Sequence, residues 1–179
     1  MRKILAVIAV LATAGLAACS SSSSSSSTAP VPRTGTEVIT GTTTSVANAP
    51  TIPLKASGLF ADTGSITLSG NSNAGTDTLK LSKGGLRVYH KQTRSPGTIF
   101  NPRTCSIKFS ETGTFHLVPG STGAYKGITG KGTYWVVFTA TMPRLTGGRG
   151  CDNSQNVNPV PGSALTTFTV TGTFTLPAA

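Results

Sequence analysis

The most regular pattern in the chain lies near its C-terminal end, where Phe168, Val170, Gly172, Phe174 and Leu176 alternate with Thr167, Thr169, Thr171, Thr173 and Thr175. A period of two sends successive side chains to opposite faces, so this stretch predicts a strand with an apolar inner and a threonine-rich outer face. The alternation recurs upstream. Leu54, Ala56, Gly58 and Phe60 share one parity, and Ile66 and Leu68 resume it after an expected turn at Asp62-Thr63-Gly64. Leu79 and Leu81 alternate with Lys80 and Ser82; Lys83-Gly84-Gly85 then supplies the glycines a hairpin turn needs, and Leu86, Val88 and His90 continue opposite Arg87, Tyr89 and Lys91. Cys105, Ile107 and Phe109 form another inward set, with a turn expected at Glu111-Thr112 before Phe115 and Leu117. Residues 113–138 hold two apolar, β-branched runs around a connection carrying Gly120, Gly123, Gly127, Gly130 and Gly132, which predicts two neighbouring strands joined by a tight glycine-rich excursion. The second runs toward Met142, where Pro143 stops it. Residues 92–104 and 144–163 predict loops, residues 33–48 predict part linker and part edge strand, and no stretch of the mature chain has a helical period.

One smaller pattern decides how the strands assemble. Gly58-Leu59-Phe60, Gly113-Thr114-Phe115, Gly132-Thr133-Tyr134 and Gly172-Thr173-Phe174 each place a glycine and an aromatic on the same strand face. A core-facing glycine lets a strand bend sharply and a nearby aromatic covers the gap, a device that coils sheets into barrels. The expected fold is all-β, a small antiparallel barrel of about eight strands.

The N-terminus is set apart from that fold. Met1-Arg2-Lys3 is basic, residues 4–16 are apolar, and small residues lead to Cys19; an apolar run of about a dozen residues falls short of the roughly 20 that a spanning helix needs. Leu16-Ala17-Ala18-Cys19 resembles a bacterial lipobox, which implies a lipoprotein signal peptide over residues 1–18 and a lipidated Cys19. An ordinary secretory signal is the alternative. Residues 20–27 are all serine, followed by Thr28-Ala29-Pro30-Val31-Pro32, a composition with no apolar surface to bury. Residues 19–50 are thus expected to be a disordered tether and residues 51–179 the barrel domain. The address implied is the cell envelope, anchored to the outer face of the cell membrane or to the outer membrane.

The segment Gly120-Ser121-Thr122-Gly123-Ala124-Tyr125-Lys126-Gly127-Ile128-Thr129-Gly130-Lys131-Gly132-Thr133 resembles the "GTGAYAGxTGxGT" stretch of small secreted bacterial proteins similar to the allene oxide cyclase and dirigent barrels. The likeness is strong over some 20 residues and extends loosely from Leu54 to Leu176. It implies an eight-stranded antiparallel barrel with a central cavity, and it carries over no catalytic or substrate-binding residue.

Charge and cysteine usage narrow the partners. Without Arg2 and Lys3, thirteen basic residues face five acidic ones, a net charge of +8. Lys80, Lys83, Arg87, Lys91, Arg94, Arg103 and Lys108 lie in a run free of Asp and Glu, a candidate face for anionic lipid or envelope polymer. Nucleic acid is not expected at this address. With Cys19 lipidated, Cys105 and Cys151 are left as a disulfide pair in an oxidising compartment. The order Cys105, Trp135, Cys151 invites an immunoglobulin reading, but the loop composition around Cys151 opposes it.

Catalytic chemistry is sparse. Glu37, Asp62, Asp77, Glu111 and Asp152 all read as turn, loop or tether positions, and His90 and His116 have no acidic neighbour in sequence. Neither a Gly-x-Ser-x-Gly elbow nor a metal-ligand spacing is present, and residues 127–132 depart from the Walker pattern. No cofactor is expected. The function these features favour is noncatalytic: a small apolar ligand bound inside the barrel by His90, Tyr134, Phe138, Phe168 and Phe174, or anionic material bound on the basic face. The alternatives are a cyclase-like or dirigent-like enzyme acting on an apolar substrate, for which a carboxylate or histidine buried in an open cavity would speak, and a structural or adhesive module.

Overall fold

The computed structural model describes residues 30–46, 50–68, 73–152, 154 and 157–178. The strands are β1 (Arg33–Thr43), β2 (Thr51–Gly58), β3 (Asp62–Thr67), β4 (Ala74–Leu81), β5 (Gly84–Arg94), β6 (Thr98–Asn101), β7 (Ser106–Leu117), β8 (Thr129–Thr141) and β9 (Leu165–Leu176), with one 3₁₀ turn at Gly123–Tyr125. All pairings are antiparallel. β1 to β5 form a meander, β5 pairs β7, β7 pairs β8, β8 pairs β9, and β9 returns along the whole of β1 from Arg33↔Leu176 to Thr43↔Thr166. The result is a closed eight-stranded barrel, as the alternation and the glycine–aromatic pairs predict. Closure leaves no free sheet edge among the eight staves. β6 prolongs β5: β5 lies against Thr112–Leu117 of β7 and β6 against Ser106–Phe109, on the same edge of that strand.

Several expectations change. β1 is a full barrel stave, so the domain begins by Arg33 and not at residue 51, and residues 33–43 are not tether. Their Thr and Gly content hid the strand because Val38 and Ile39 are its only large apolar residues. Asp62, Thr63 and Gly64 open β3, and the turn falls at residues 59–61. Glu111 and Thr112 lie inside an unbroken β7, and the expected loop 92–104 contains the end of β5 and all of β6.

The glycine–aromatic pairs act across strands as well as along them. A Cβ on Gly132 or Gly172, which face each other, would stand 2.8 Å from the Phe115 ring, and one on Gly130 would stand 3.1 Å from Phe174. One aromatic from each neighbouring strand thus fills the volume that glycine vacates, which allows the wall to curve. Gly58 and Phe60 play another part: Gly58 ends β2 at a φ of +130°, and Phe60 packs against Tyr125 and Phe174 with ring centroids 4.9 and 6.1 Å apart.

The two ends of the barrel differ. At one, the glycine-rich connection 118–128 is a plug and not a tight excursion. It docks on the β4–β5 turn through Thr122 N–H to Gly85 O (2.9 Å) and Ala124 N–H to Lys83 O (2.8 Å). The approach is so close that a Cβ on Gly123 would meet Lys83 O at 2.2 Å, and Gly123 also needs its positive φ of +61°. Tyr125, 2% exposed, is driven into the barrel end, where its hydroxyl donates to Asp62 Oδ2 at 2.6 Å. The other end is open. There Cys105 at the start of β7 is bonded to Cys151, with Cα atoms 5.4 Å apart, tying the β8–β9 connection to the rim.

Candidate functional site

Between plug and mouth the inward faces enclose a cavity of about 910 Å³. Its floor is Leu86, Phe115 and Phe174, its walls include Val136, Phe168 and Val170, and Phe109 and Phe138 stand across from each other nearer the mouth. That size is ample for a drug-sized molecule. All five residues proposed from sequence as ligand contacts, His90, Tyr134, Phe138, Phe168 and Phe174, line it.

Among the polar side chains on these walls, Asp77, His90, Glu111 and Tyr134 form two close pairs. Asp77 and His90 come from β4 and β5, where Asp77 is opposite Val88 and His90 opposite Gly75, so the two are diagonal neighbours on the inner face. Asp77 Oδ2 is 2.7 Å from His90 Nδ1. Across the barrel wall, Tyr134 of β8 donates its hydroxyl to Glu111 Oε1 of β7 at 2.7 Å. The Tyr134 and His90 rings meet edge to face, with centroids 5.9 Å apart and planes at 83°. Burial first, then the hydrogen bond to Glu111 and the negative charges of Glu111 and Asp77, hold the Tyr134 phenol above the ordinary tyrosine range. At neutral pH it is therefore a neutral donor.

Gly113 makes this arrangement fit. It is the β7 residue opposite Tyr134, and a Cβ there would lie 2.3 Å from Tyr134 Cε1 and 2.4 Å from the Lys91 carbonyl oxygen. With no side chain at that position, the Tyr134 ring lies over β7 toward His90 of β5. The glycine that reads in sequence as a bending device is also the floor under the tyrosine.

Asp77 and Glu111 were missed as site residues, and the expectation that His90 lacks an acidic neighbour is corrected by the β4–β5 pairing. The signal was parity. Asp77 shares the face of Leu79 and Leu81, and Glu111 that of Phe109, Gly113 and Phe115. Reading Asp77 and Glu111 as turn residues broke both series. Glu37 and Asp62 are likewise buried and not in turn or tether: Glu37 is fully buried at the plugged end, with Oε2 accepting Phe60 N–H at 3.0 Å.

The basic residues of the run 80–108 are exposed and spread over the length of the barrel. Lys80, Arg87 and Lys91 share the outer face of β4 and β5; Lys83 is at the plugged end, its Nζ donating to Ala61 O at 2.9 Å. Arg94 reaches the cavity mouth, Arg103 lies between β6 and β7, and Lys108 is on the mouth-side half of β7. His116 faces outward and packs against Tyr89 with ring centroids 5.1 Å apart. Among the described residues no three of His, Cys, Asp and Glu gather into a metal site. Cys19 lies outside the described residues.

The Asp77 carboxylate on Nδ1 fixes the ring orientation of His90 inside the cavity, an arrangement in which an imidazole can take part in general acid–base chemistry. Compared with known proteins, the chain matches no family model, no curated protein and no solved structure.

Proposed function

We propose that the barrel is a binding module for a small, mainly apolar molecule taken up through the open end, held at the cell envelope by an acylated Cys19. The observation that carries this reading is the cavity: about 910 Å³, plugged at one end and walled largely by aliphatic and aromatic side chains. The test is titration with N-phenyl-1-naphthylamine, an uncharged probe that brightens in apolar surroundings. Wild-type protein should bind it saturably, and Val136→Trp, which fills the cavity, should abolish binding without loss of the folded circular dichroism spectrum. Equal binding by the filled variant would refute a cavity site. The anchor is tested separately by metabolic labelling with an alkynyl fatty acid, which Cys19→Ser should abolish.

A second reading, catalysis on the bound molecule, is favoured by the Asp77–His90 pair inside the cavity. General acid–base catalysis contributes typically ~10²–10⁴-fold, so His90→Gln would slow turnover by a factor in that range. Incubation with a lipid extract of the host, followed by mass spectrometry, should then show a component consumed by wild type and untouched by His90→Gln. Identical extracts after both incubations would leave binding as the whole activity.

A further inference from the structure

Of the five acidic residues in a chain of net charge +10, two, Asp77 and Glu111, face the cavity. They differ in what they meet. Asp77 sits against His90, with Oδ2 2.7 Å from Nδ1. Glu111 sits against the Tyr134 hydroxyl, which satisfies a lone pair and cancels no charge. A carboxylate set in apolar walls interacts far more strongly with a cation than one in water does, because the screening solvent is largely excluded.

The surroundings of Glu111 fit the same kind of guest. On the inner face its rung is Glu111↔Val136, and the next rung toward the mouth is Phe109↔Phe138. A molecule entering from the mouth passes this pair of aromatic side chains before reaching the carboxylate, and aromatic faces attract organic cations as well as apolar bodies. Among the described lining residues the basic ones are His90, already set against Asp77, and Arg94, which is exposed at the rim where water and salt screen it.

We propose that the cavity selects an apolar molecule bearing a protonated amine, its ammonium group on Glu111 beside the Tyr134 hydroxyl and its apolar body against the aromatic walls. This rests on the cavity reading above and narrows it to one class of ligand. It assigns Glu111 the role of counter-ion, with Tyr134 as the positioning residue that orients the carboxylate.

Calorimetric titration at pH 7 with three molecules of matched shape tests it: 1-naphthylmethylamine, 1-naphthylmethanol and 1-naphthoate. The amine should bind about 10-fold or more tighter than the alcohol, as expected of a charge-assisted hydrogen bond, and the carboxylate should bind weakest. Glu111→Gln keeps the size of the side chain and an acceptor for Tyr134. It should bring the amine down to the level of the alcohol, with a much smaller effect on the alcohol than on the amine. Tyr134→Phe, which keeps the ring and the charge, should retain a preference for the amine. Equal binding of amine and alcohol to wild type, or equal losses of both in Glu111→Gln, overturns the proposal while the cavity reading stands. Saturable binding of none of the three overturns both.

Discussion

The plugged end offers the sharpest test of how the fold is held. Asp62, 8% exposed, accepts four hydrogen bonds: Thr63 N–H at 2.7 Å and the Ser82 hydroxyl on Oδ1, Lys83 N–H at 3.1 Å and the Tyr125 hydroxyl at 2.6 Å on Oδ2. Burial pushes its carboxyl up, but the donors from Ser82, Tyr125, Lys83 and Thr63 outweigh that and hold it well below the usual carboxylate range. Tyr125→Phe deletes one bond to a charged acceptor and should cost about 1.5–3 kcal/mol. Asp62→Ala leaves several buried donors without an acceptor, at about 1–3 kcal/mol for each that stays dry, so a total of about 3–5 kcal/mol is expected, a large part of the ~5–15 kcal/mol by which domains are stable. The assay is urea unfolding followed by circular dichroism and by the fluorescence of the single tryptophan, Trp135. In the double variant the two losses should not add, because Tyr125→Phe has nothing left to lose once the carboxylate is gone. The pH dependence has a definite sign. A carboxyl whose pKa is lowered on folding contributes stability that is fully present above its unfolded value, near 3.8, and is lost as pH falls through the folded value. The stability gap between wild type and Asp62→Ala should therefore narrow as the pH drops below about 4. Additivity of the two substitutions to within about 0.5 kcal/mol, or a gap independent of pH, would refute this account of the plug.

Glu37 should behave with the opposite sign. Desolvation raises its carboxyl above the ordinary glutamate value of 4.5 in spite of backbone hydrogen bonds, so its ionisation costs stability as pH rises through the folded value; Glu37→Gln should be more stable than wild type at pH 8, with the advantage shrinking toward pH 4 in parallel melts. Gly113→Ala places a methyl group into the Tyr134 ring and the Lys91 carbonyl; a loss of about 1–3 kcal/mol is expected, with weaker binding of the amine probe, and an unchanged melting curve would contradict the packing described. Replacing Cys105 and Cys151 by serine opens a loop with a sequence separation of 46 and should cost about 3–4 kcal/mol, read as a shift in urea midpoint that reducing agent reproduces in the wild type.

The architecture was legible wherever one face is uniformly apolar. β9, the β4–β5 hairpin and the two strands around the plug follow from alternation because closure forces every stave to turn one parity inward. Legibility failed where that inner parity carries something other than a hydrophobe. β1 puts Glu37, Ile39 and Gly41 inside, and Gly41 is there because a Cβ would lie 2.4 Å from the Pro53 carbonyl oxygen. A strand whose inner face is an acid, an isoleucine and a glycine has almost no hydrophobic signature. Asp77 and Glu111 were lost in the same way, since a carboxylate in an alternating series reads as a break in the strand. Their partners were also invisible locally: His90 meets Asp77 only through the β4–β5 register, and Tyr134 reaches Glu111 only because Gly113 is empty.

These failures share a cause that bears on function. At the plugged end the Asp62 carboxylate is satisfied by four internal donors. The positions along the cavity are held to a looser rule. Asp77 is set against His90 and Tyr134 against Glu111 across strands, and all four border open volume. Polar groups set in apolar walls lower the stability of a barrel compared with aliphatic residues of the same size. Replacing Glu111 and Tyr134 together by Leu and Phe should therefore leave the protein as stable as wild type or more so, while removing discrimination between the amine and the alcohol. A large loss of stability in that pair would instead make the Tyr134–Glu111 bond a part of the scaffold, comparable to Tyr125–Asp62, and would take it out of the binding site.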